Sequence, residues 1–417
     1  MLNFYDHQTK RDISLQRAAS LKESIREYLA DINNIETGFQ QEARTAANQA
    51  RIQEYFGASQ DDWNSFKWQM KNRISDPDTL AAFLPLSELE LWRLKFASAK
   101  VRWAISPYYL SLIDFNNFRY SPIYAQAVPS LLELQDQAGQ DDPMAEEYTN
   151  PAPRITRRYP DRLIINATNQ CGMYCRHCQR RRNFGETDQH AVKSDLEAAV
   201  QYIRENEEIR DVLITGGDAL MLSNKILDWL LGELDAIEHV EIKRLGTRAP
   251  VTLPQRITPE LCEILKKHPP IYINTQFNHP LEVTAEARAA CDRLVEAGVV
   301  LGNQAVLLRN INDHPHIMKK MNQELLKIRV RPYYIFHAKQ VKGTAHFMTP
   351  VQAGMDIMKE LRGYTSGLAV PTYIINAPEG RGKTPVTPEY MLSINESEVV
   401  MKTWQGHVFH YPNHPDS

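Results

Sequence analysis

The chain has 417 residues, of which 43% are hydrophobic and 24% are charged, so it can bury a large core without disulfide staples. Its formal net charge of −3 argues against a general nucleic-acid binder. We see neither a signal peptide nor an apolar run long enough to cross a bilayer, so we expect no membrane partner and a cytoplasmic location.

Residues 1–150 predict an N-terminal helical domain that ends in a linker. Hydrophobic residues recur at three- and four-residue intervals over residues 14–32, which predicts a helix. Two further helical segments begin with cap-type residues, and Ser87 with Glu90 fits a capping box. The acidic stretch over residues 136–153, which is interrupted by prolines, predicts the linker.

From about residue 160 the pattern changes to short apolar, β-branched runs separated by helical stretches. This alternation predicts βαβ units, a parallel sheet and an α/β fold. Six such strands favour a partial (β/α)6 TIM-type barrel over residues 151–344 rather than a complete eightfold barrel. Residues 345–417 form a C-terminal segment that adds a strand and a hairpin around Gln405–Gly406. In a barrel, chemistry collects where the strands end, and the unusual residues of this chain lie there.

Three of the five cysteines, Cys171, Cys175 and Cys178, follow the first barrel strand with C-x3-C-x2-C spacing. Thiolates are the usual ligands of iron–sulfur clusters, and three of them leave one iron of a [4Fe-4S] cubane open to a small molecule. A structural zinc site is the alternative, with His177 as a fourth ligand, although that residue is wedged into the same tight loop. Chance clustering is the other alternative. The spacing favours the cluster.

The cysteine loop after the first strand of a partial barrel resembles the radical S-adenosylmethionine (SAM) superfamily. The resemblance implies that the open iron binds SAM and that its reductive cleavage gives a 5′-deoxyadenosyl radical. Gly216, Gly217 and Asp218, after the second strand, resemble the motif that receives the methionine amino group in this superfamily. Alone, these three residues are equally typical of a tight strand-to-helix turn.

Lys383 lies in a loop rich in glycine and proline, where its amine is accessible to form a Schiff base with pyridoxal phosphate (PLP). By itself this residue would more often be a solvated loop lysine. Over residues 157–390, however, RRYPDR, CGMYCRHC, PVTLPQRITPE, IRVRPYYI and GKTPV together resemble the PLP-dependent aminomutases of the radical SAM class. These are the lysine 2,3-aminomutases and their relatives. Carried over by position, the resemblance makes Lys383 the catalytic lysine that holds PLP.

The same resemblance assigns further binding residues. Arg158 would bind the PLP phosphate, with assistance from Arg162, because guanidinium groups suit phosphate oxygens. Arg180 would grip the substrate α-carboxylate, Gln304 would contact SAM, and Arg248 would be an anion ligand. The alternatives are surface charges for the arginines and a buried strand glutamine for Gln304.

The resemblance also implies a reaction and its partners. A 1,2-amino shift would follow removal of a hydrogen atom from the β-carbon of a small amino-acid substrate, with PLP carrying the nitrogen. An electron donor of the flavodoxin or ferredoxin type and a homodimer or higher homo-oligomer are expected. The lysine enzymes bind structural zinc through a cysteine-rich C-terminal segment. This chain has no cysteine after Cys291, so no structural zinc is expected.

Two departures from the lysine enzymes predict the substrate. Those enzymes hold the substrate ammonium with two aspartates, and Lys339 and Asn376 stand at these positions here. A cation and a neutral amide repel an ammonium and attract a carboxylate, and glutamate-specific members of the family carry the same pair. We therefore expect conversion of L-glutamate to 3-aminoglutarate. The alternatives are an aminomutase for lysine or another amino acid, and a non-catalytic iron–sulfur protein.

Overall fold

The computed structural model describes residues 7–136 and 138–413. Its N-terminal part is helical, as predicted, and the Ser87–Glu90 capping box is present. The helix predicted over residues 14–32 is divided into two at Ser24, whose hydroxyl donates a hydrogen bond to the Leu21 carbonyl and so competes with the helical ladder. The N-terminal helices are α1 (His7–Glu23), α2 (Arg26–Asp31), α3 (Glu42–Phe56), α4 (Gln60–Asn64), α5 (Phe66–Lys71), α6 (Pro77–Ala81), α7 (Glu88–Ser98), α8 (Pro107–Ser111), α9 (Pro122–Ala127) and α10 (Leu132–Gln135).

A nine-stranded sheet follows, with its strands in the order of the sequence. The strands are β1 (Ile155–Arg157), β2 (Arg162–Thr168), β3 (Asp211–Gly216), β4 (Ile242–Gly246), β5 (Ile271–Thr275), β6 (Val300–Leu307), β7 (Arg331–His337), β8 (Thr372–Asn376) and β9 (Lys383–Pro385). Strands β2 to β8 are parallel, whereas β1 and β9 pair antiparallel at the two edges. The six predicted strands are β2 to β7. Among the described residues the sheet does not close, so the barrel is partial, as expected.

Crossover helices connect the parallel strands. They are α11 (Lys193–Arg204), α12 (Asn224–Asp235), α13 (Ala249–Thr252), α14 (Pro259–Lys267), α15 (Ala285–Glu296), α16 (Pro315–Lys327) and α17 (Val351–Leu361). Each longer helix buries one apolar stripe; α15, for example, buries Ala287, Ala290, Cys291 and Leu294 at helical spacing. Cys262 on α14 is also buried, so both cysteines outside the loop pack in the core, as predicted.

One continuous apolar core runs from Ile52 on α3, through the sheet, to Tyr373 on β8. The N-terminal helices therefore pack directly on the barrel, and the division at residues 150 and 344 stays a prediction. Beyond β9, the strands β10 (Met391–Ile394), β11 (Glu398–Lys402) and β12 (Val408–Pro412) form a separate antiparallel sheet, with the predicted hairpin at Gly406. None of the helices in the described ranges is both long and apolar enough to span a bilayer.

The acidic stretch over residues 136–153 is more than a connection. The Asp136 carboxylate accepts backbone hydrogen bonds from Gly343 and Thr344, at 2.9 and 3.0 Å, in the loop after β7. Glu146, further along the stretch, is 7% exposed. The linker predicted from composition is thus anchored on the barrel, because its carboxylates find buried partners there.

Candidate active site

Every site residue predicted from the sequence lines one cavity of about 290 Å³ inside the open barrel. The C-terminal ends of the parallel strands meet at the same edge of the sheet, which brings most of these residues together. Arg162, in contrast, begins β2, and Lys383 begins the antiparallel strand β9. The predicted site residues are Arg158, Arg162, Cys171, Cys175, Cys178, Arg180, Gly216, Gly217, Asp218, Arg248, Gln304, Lys339, Asn376 and Lys383.

The cysteine loop follows β2 and is held by the N-terminal helical part. The backbone of Tyr174 donates to Ala104 at 3.0 Å, and Arg176 donates to Gln126 at 2.9 Å. All three loop cysteines are free thiols. Burial and the neighbouring Cys175 raise the pKa of Cys178 to about 11. A bound metal cation offsets the cost of ionising buried thiols. A set of three thiols therefore fits an iron–sulfur cluster.

A site for a single metal ion, such as structural zinc, requires ligands that converge on one point. In the part of the chain that the structure describes, no group of three or more His, Cys, Asp or Glu side chains is placed to hold one metal ion. In a four-iron cubane each thiolate bonds to a different iron, so the three cysteines need not converge on one point. The expected lack of structural zinc stays a prediction.

The two glycines after β3 permit a close approach to the cysteine loop. A Cβ on Gly217 would lie 2.5 Å from the Gln170 carbonyl oxygen, and one on Gly216, where φ is +120°, would lie 2.4 Å from that of Thr168. Any larger side chain would push the end of β3 away from the loop. These glycines therefore set the distance between the ends of β2 and β3.

Asp218 ties this turn to the next strand. Its buried carboxylate accepts hydrogen bonds from Thr247 Oγ1 at 2.6 Å and from the Arg248 amide at 2.8 Å. Burial raises the pKa of Asp218. The Gly-Gly-Asp motif thus does serve as a strand-end turn, and its predicted contact with SAM stays a prediction.

Arg248 lies against the cysteine loop. Its Nη1 donates to the Cys175 sulfur at 2.9 Å, and its Nη2 donates to Glu282 Oε1 at 2.7 Å. Although burial opposes the charge, these two partners raise the pKa of Arg248. A guanidinium donor thus lies against one of the three sulfurs that are candidate cluster ligands.

A buried carboxylate that sequence analysis missed joins three arginines. Glu146 accepts hydrogen bonds from Arg180 Nη2 at 2.9 Å and Arg182 Nη2 at 2.8 Å, and Arg158 Nη2 lies 3.7 Å away. Although burial opposes ionisation, these arginines lower the pKa of Glu146 to about 2. Neither a motif nor a periodicity distinguishes Glu146 from the acidic residues around it.

Replacing Glu146 with glutamine is expected to destabilise the fold by roughly 2–3 kcal/mol, because buried guanidinium charges lose their counterion. Urea denaturation would measure the free energy of unfolding, with Glu147→Gln as an exposed neighbouring control. The carboxylate has a folded pKa below its ordinary value of 4.5. Its contribution is therefore complete above that pH and is lost as the pH falls toward 2. Equal stability of the two variants would contradict this role.

Lys339 and Asn376 approach the same cavity from the ends of β7 and β8. Lys339 Nζ donates a hydrogen bond to Gln179 Oε1 in the cysteine loop. Burial, followed by the nearby Arg158 and Arg180, lowers the pKa of Lys339 to about 7. Asn376 Nδ2 is buried without a hydrogen-bond partner among the described residues. Both side chains thus offer donors toward the cavity.

Lys383 begins β9, which pairs with β8 so that Lys383 lies opposite Asn376. Its amine lies 5.3 Å from the Tyr159 ring and 5.8 Å from the Tyr334 ring. Burial, followed by the nearby Arg162, lowers the pKa of Lys383 to about 8. More of the amine is therefore unprotonated near neutral pH than for an exposed lysine, and an unprotonated amine is the nucleophile that condenses with an aldehyde.

The surroundings of Lys383 fit a phosphate-bearing aldehyde. Arg158 Nη1 is buried and lacks a hydrogen-bond partner within the described ranges, which leaves a charged donor for phosphate oxygens. Arg162 lies 3.9 Å over the Tyr159 ring and also lines the cavity. Gln304, on β6, lines the same cavity.

Comparisons with known proteins agree with this site. Residues 165–320 match the radical SAM superfamily, and residues 358–417 match a family described as lysine-2,3-aminomutase. The chain is 54% identical over 97% of its length to glutamate 2,3-aminomutase of Clostridioides difficile, covering 95% of that protein. It is 48% identical over 85% of its length to L-lysine 2,3-aminomutase of Acetoanaerobium sticklandii, covering 86% of that protein. It is also 46% identical over 87% of its length to the L-lysine 2,3-aminomutase of Clostridium subterminale, covering 87% of that protein.

Membership of the radical SAM superfamily implies a [4Fe-4S] cluster and SAM, which the three free loop cysteines fit. The alternative of a non-catalytic iron–sulfur protein is therefore set aside in favour of the expected enzyme. Identity of 54% across nearly the whole length of both proteins shows the family, and the chain belongs to the radical SAM 2,3-aminomutases, which are isomerases.

Proposed function

We propose that this aminomutase moves the 2-amino group of L-glutamate to carbon 3, giving 3-aminoglutarate. The name of the Clostridioides difficile relative supports glutamate as the substrate. The single observation that carries the proposal is the presence of Lys339 and Asn376, two donors to a carboxylate, on the wall of the cavity.

Lys339 supplies the charge. Burial lowers its pKa to about 7, with Arg158 and Arg180 as further causes, so its ammonium is short of a negative partner. A substrate carboxylate beside Nζ would provide that partner and restore the charged form. A substrate ammonium would meet a like charge instead.

Asn376 supplies a second donor. Its Nδ2 is buried and makes no hydrogen bond with the described residues. An unpaired buried donor costs about 1–3 kcal/mol, which a carboxylate oxygen of the substrate would recover. The position on β8 opposite Lys383 puts this donor beside the proposed PLP lysine.

The remaining side chains would hold the other parts of the substrate and PLP. Arg180 uses Nε and Nη2 on Glu146, which fixes its orientation and leaves Nη1 for the substrate α-carboxylate. Arg158 would bind the PLP phosphate through its unpaired Nη1, and Arg162 would add positive charge. Lys383 would hold PLP through its amine and release it when the substrate amine takes its place.

The cluster side of the cavity would generate the radical. Cys171, Cys175 and Cys178 would hold three irons, and Arg248 donates a hydrogen bond to the Cys175 sulfur. Gln304, Gly216, Gly217 and Asp218 line the space beside the cysteine loop and would contact SAM. When bound, the cluster, SAM and PLP supply reversible hydrogen abstraction at carbon 3 and a carrier for the migrating nitrogen.

We also propose that the enzyme takes its electron from a flavodoxin- or ferredoxin-type donor, acts in the cytoplasm and forms a homodimer or higher homo-oligomer. Cleavage of SAM requires one electron, and an iron–sulfur cluster with cysteine thiolate ligands requires a reducing compartment.

The double change Lys339→Asp with Asn376→Asp tests the substrate assignment. We expect anaerobically reconstituted wild-type protein to prefer glutamate over lysine by about 100-fold or more, because an unpaired buried charge costs about 3–5 kcal/mol. The double variant should lose most glutamate turnover and gain weak lysine turnover. The measurement is kcat/KM for both amino acids in both proteins.

Lys342→Asp, on the loop after Lys339, is a matched control for a lysine-to-aspartate change at an exposed position. It should retain the wild-type preference. A wild-type preference for lysine would refute the proposed substrate. Unchanged glutamate turnover in the double variant would show that Lys339 and Asn376 do not bind the substrate side chain.

A further inference from the structure

Gln179 is a cavity residue to which neither the sequence motifs nor the family comparison assigns a role. It lies between Cys178, a proposed cluster ligand, and Arg180, the proposed ligand of the substrate α-carboxylate. Its Oε1 accepts a hydrogen bond from Lys339 Nζ, across 160 residues of sequence. This is the one hydrogen bond that the structure records for the Gln179 side chain within the described ranges.

The contact orients both partners. An ammonium has three N–H donors, and one of them is used on Gln179 Oε1, so two remain for a ligand. A glutamine amide whose oxygen is engaged turns its nitrogen, a pure donor, away from the lysine. Because Gln179 and Lys339 both line the cavity, the Gln179 Nε2 donor and the remaining Lys339 N–H groups are available to an acceptor there, such as a carboxylate.

The neutrality of Gln179 also matters. A glutamate at this position would pair with Lys339 and cancel the charge that attracts a substrate carboxylate, whereas an amide orients Lys339 without neutralising it. Because Gln179 and Arg180 are consecutive, one loop segment would contact both the side-chain carboxylate and the α-carboxylate of the substrate. The distance between the two contacts is then set by the backbone of the cysteine loop itself.

We propose that Gln179 is a specificity-determining residue, which orients Lys339 and donates a hydrogen bond to the side-chain carboxylate of a dicarboxylic amino-acid substrate. This inference rests on the proposed function of the protein as a glutamate aminomutase. It goes beyond that function in adding a third side chain, from the cysteine loop, to the pair at the ends of β7 and β8.

Two substitutions test the proposal in full-length, anaerobically reconstituted protein. Gln179→Glu keeps the shape and neutralises Lys339, while Gln179→Met keeps the length and removes all hydrogen bonding. Turnover of glutamate and of glutamine, its uncharged analogue, gives the ratio of the two kcat/KM values. We expect Gln179→Glu to lower this ratio on the order of 100-fold and Gln179→Met on the order of 10-fold, chiefly through a higher KM for glutamate.

Iron content and binding of SAM should remain at the wild-type level in both variants, which separates specificity from loss of the cluster next to Gln179. Gln201→Glu, on the exposed face of α11, adds the same charge elsewhere and should leave the ratio unchanged. If the wild type does not convert glutamate, the proposed function falls and this inference with it. If the wild type converts glutamate and neither Gln179 variant changes the ratio, or if both lose the cluster, Gln179 is structural and only this inference is overturned.

Discussion

Replacing Lys383 with alanine is expected to abolish aminomutase turnover while leaving the iron content unchanged. Burial lowers the pKa of this amine to about 8, with Arg162 and Arg244 as further causes, which suits a lysine that forms a Schiff base. Without the amine, PLP loses its covalent anchor, although Arg158 could still bind its phosphate. Because covalent catalysis depends on one atom, we expect a loss of activity of at least about 1,000-fold.

The visible absorption band of the Schiff base and its loss on treatment with borohydride measure the anchor directly. The control is Lys359→Ala, at an exposed position on α17, which should retain both the band and the activity. Survival of a borohydride-sensitive band in Lys383→Ala would show that another lysine holds PLP. The assignment of the PLP-binding lysine would then move to that residue.

Replacing any one of Cys171, Cys175 and Cys178 with alanine is expected to remove most bound iron and all SAM cleavage. Three thiolates hold three of four irons, so the loss of one ligand leaves two irons without a protein bond. Anaerobic iron and sulfide analysis, together with assay of 5′-deoxyadenosine, measures both effects. Activity should fall below detection, because no other part of the cavity can generate a radical.

Cys262→Ala is the matched control, since Cys262 is a buried free thiol on α14 away from the loop. It should cost some stability but retain the cluster. A loop variant with a normal cluster and normal SAM cleavage would contradict the ligand assignment. The Lys383 and cysteine variants also have different signatures: the first loses the Schiff-base band and keeps iron, and the second loses iron.

Local patterns were sufficient for the framework of the site. Strand and helix periodicity predicted β2 to β7 and helical stretches that include α11, α14 and α15, because these elements bury one face each and the chain repeats that pattern. The three loop cysteines lie within eight residues of one another, so their spacing predicts an iron–sulfur cluster without knowledge of the fold. The roles of Lys339, Asn376 and Lys383 were predicted from the resemblance to the family. The structure brings all three residues to one cavity.

Contacts between distant segments decided the rest. The sequence by itself could determine which residue types are able to carry the chemistry, since the functional groups of cysteine, lysine and arginine are fixed by the sequence. Only the tertiary structure could decide that Glu146, in a stretch predicted to be a linker, is the counterion of Arg180, or that Gln179 accepts from Lys339. The physical reason is that burial and counterion distance govern charge interactions, and both depend on how the chain folds back on itself rather than on neighbours in sequence.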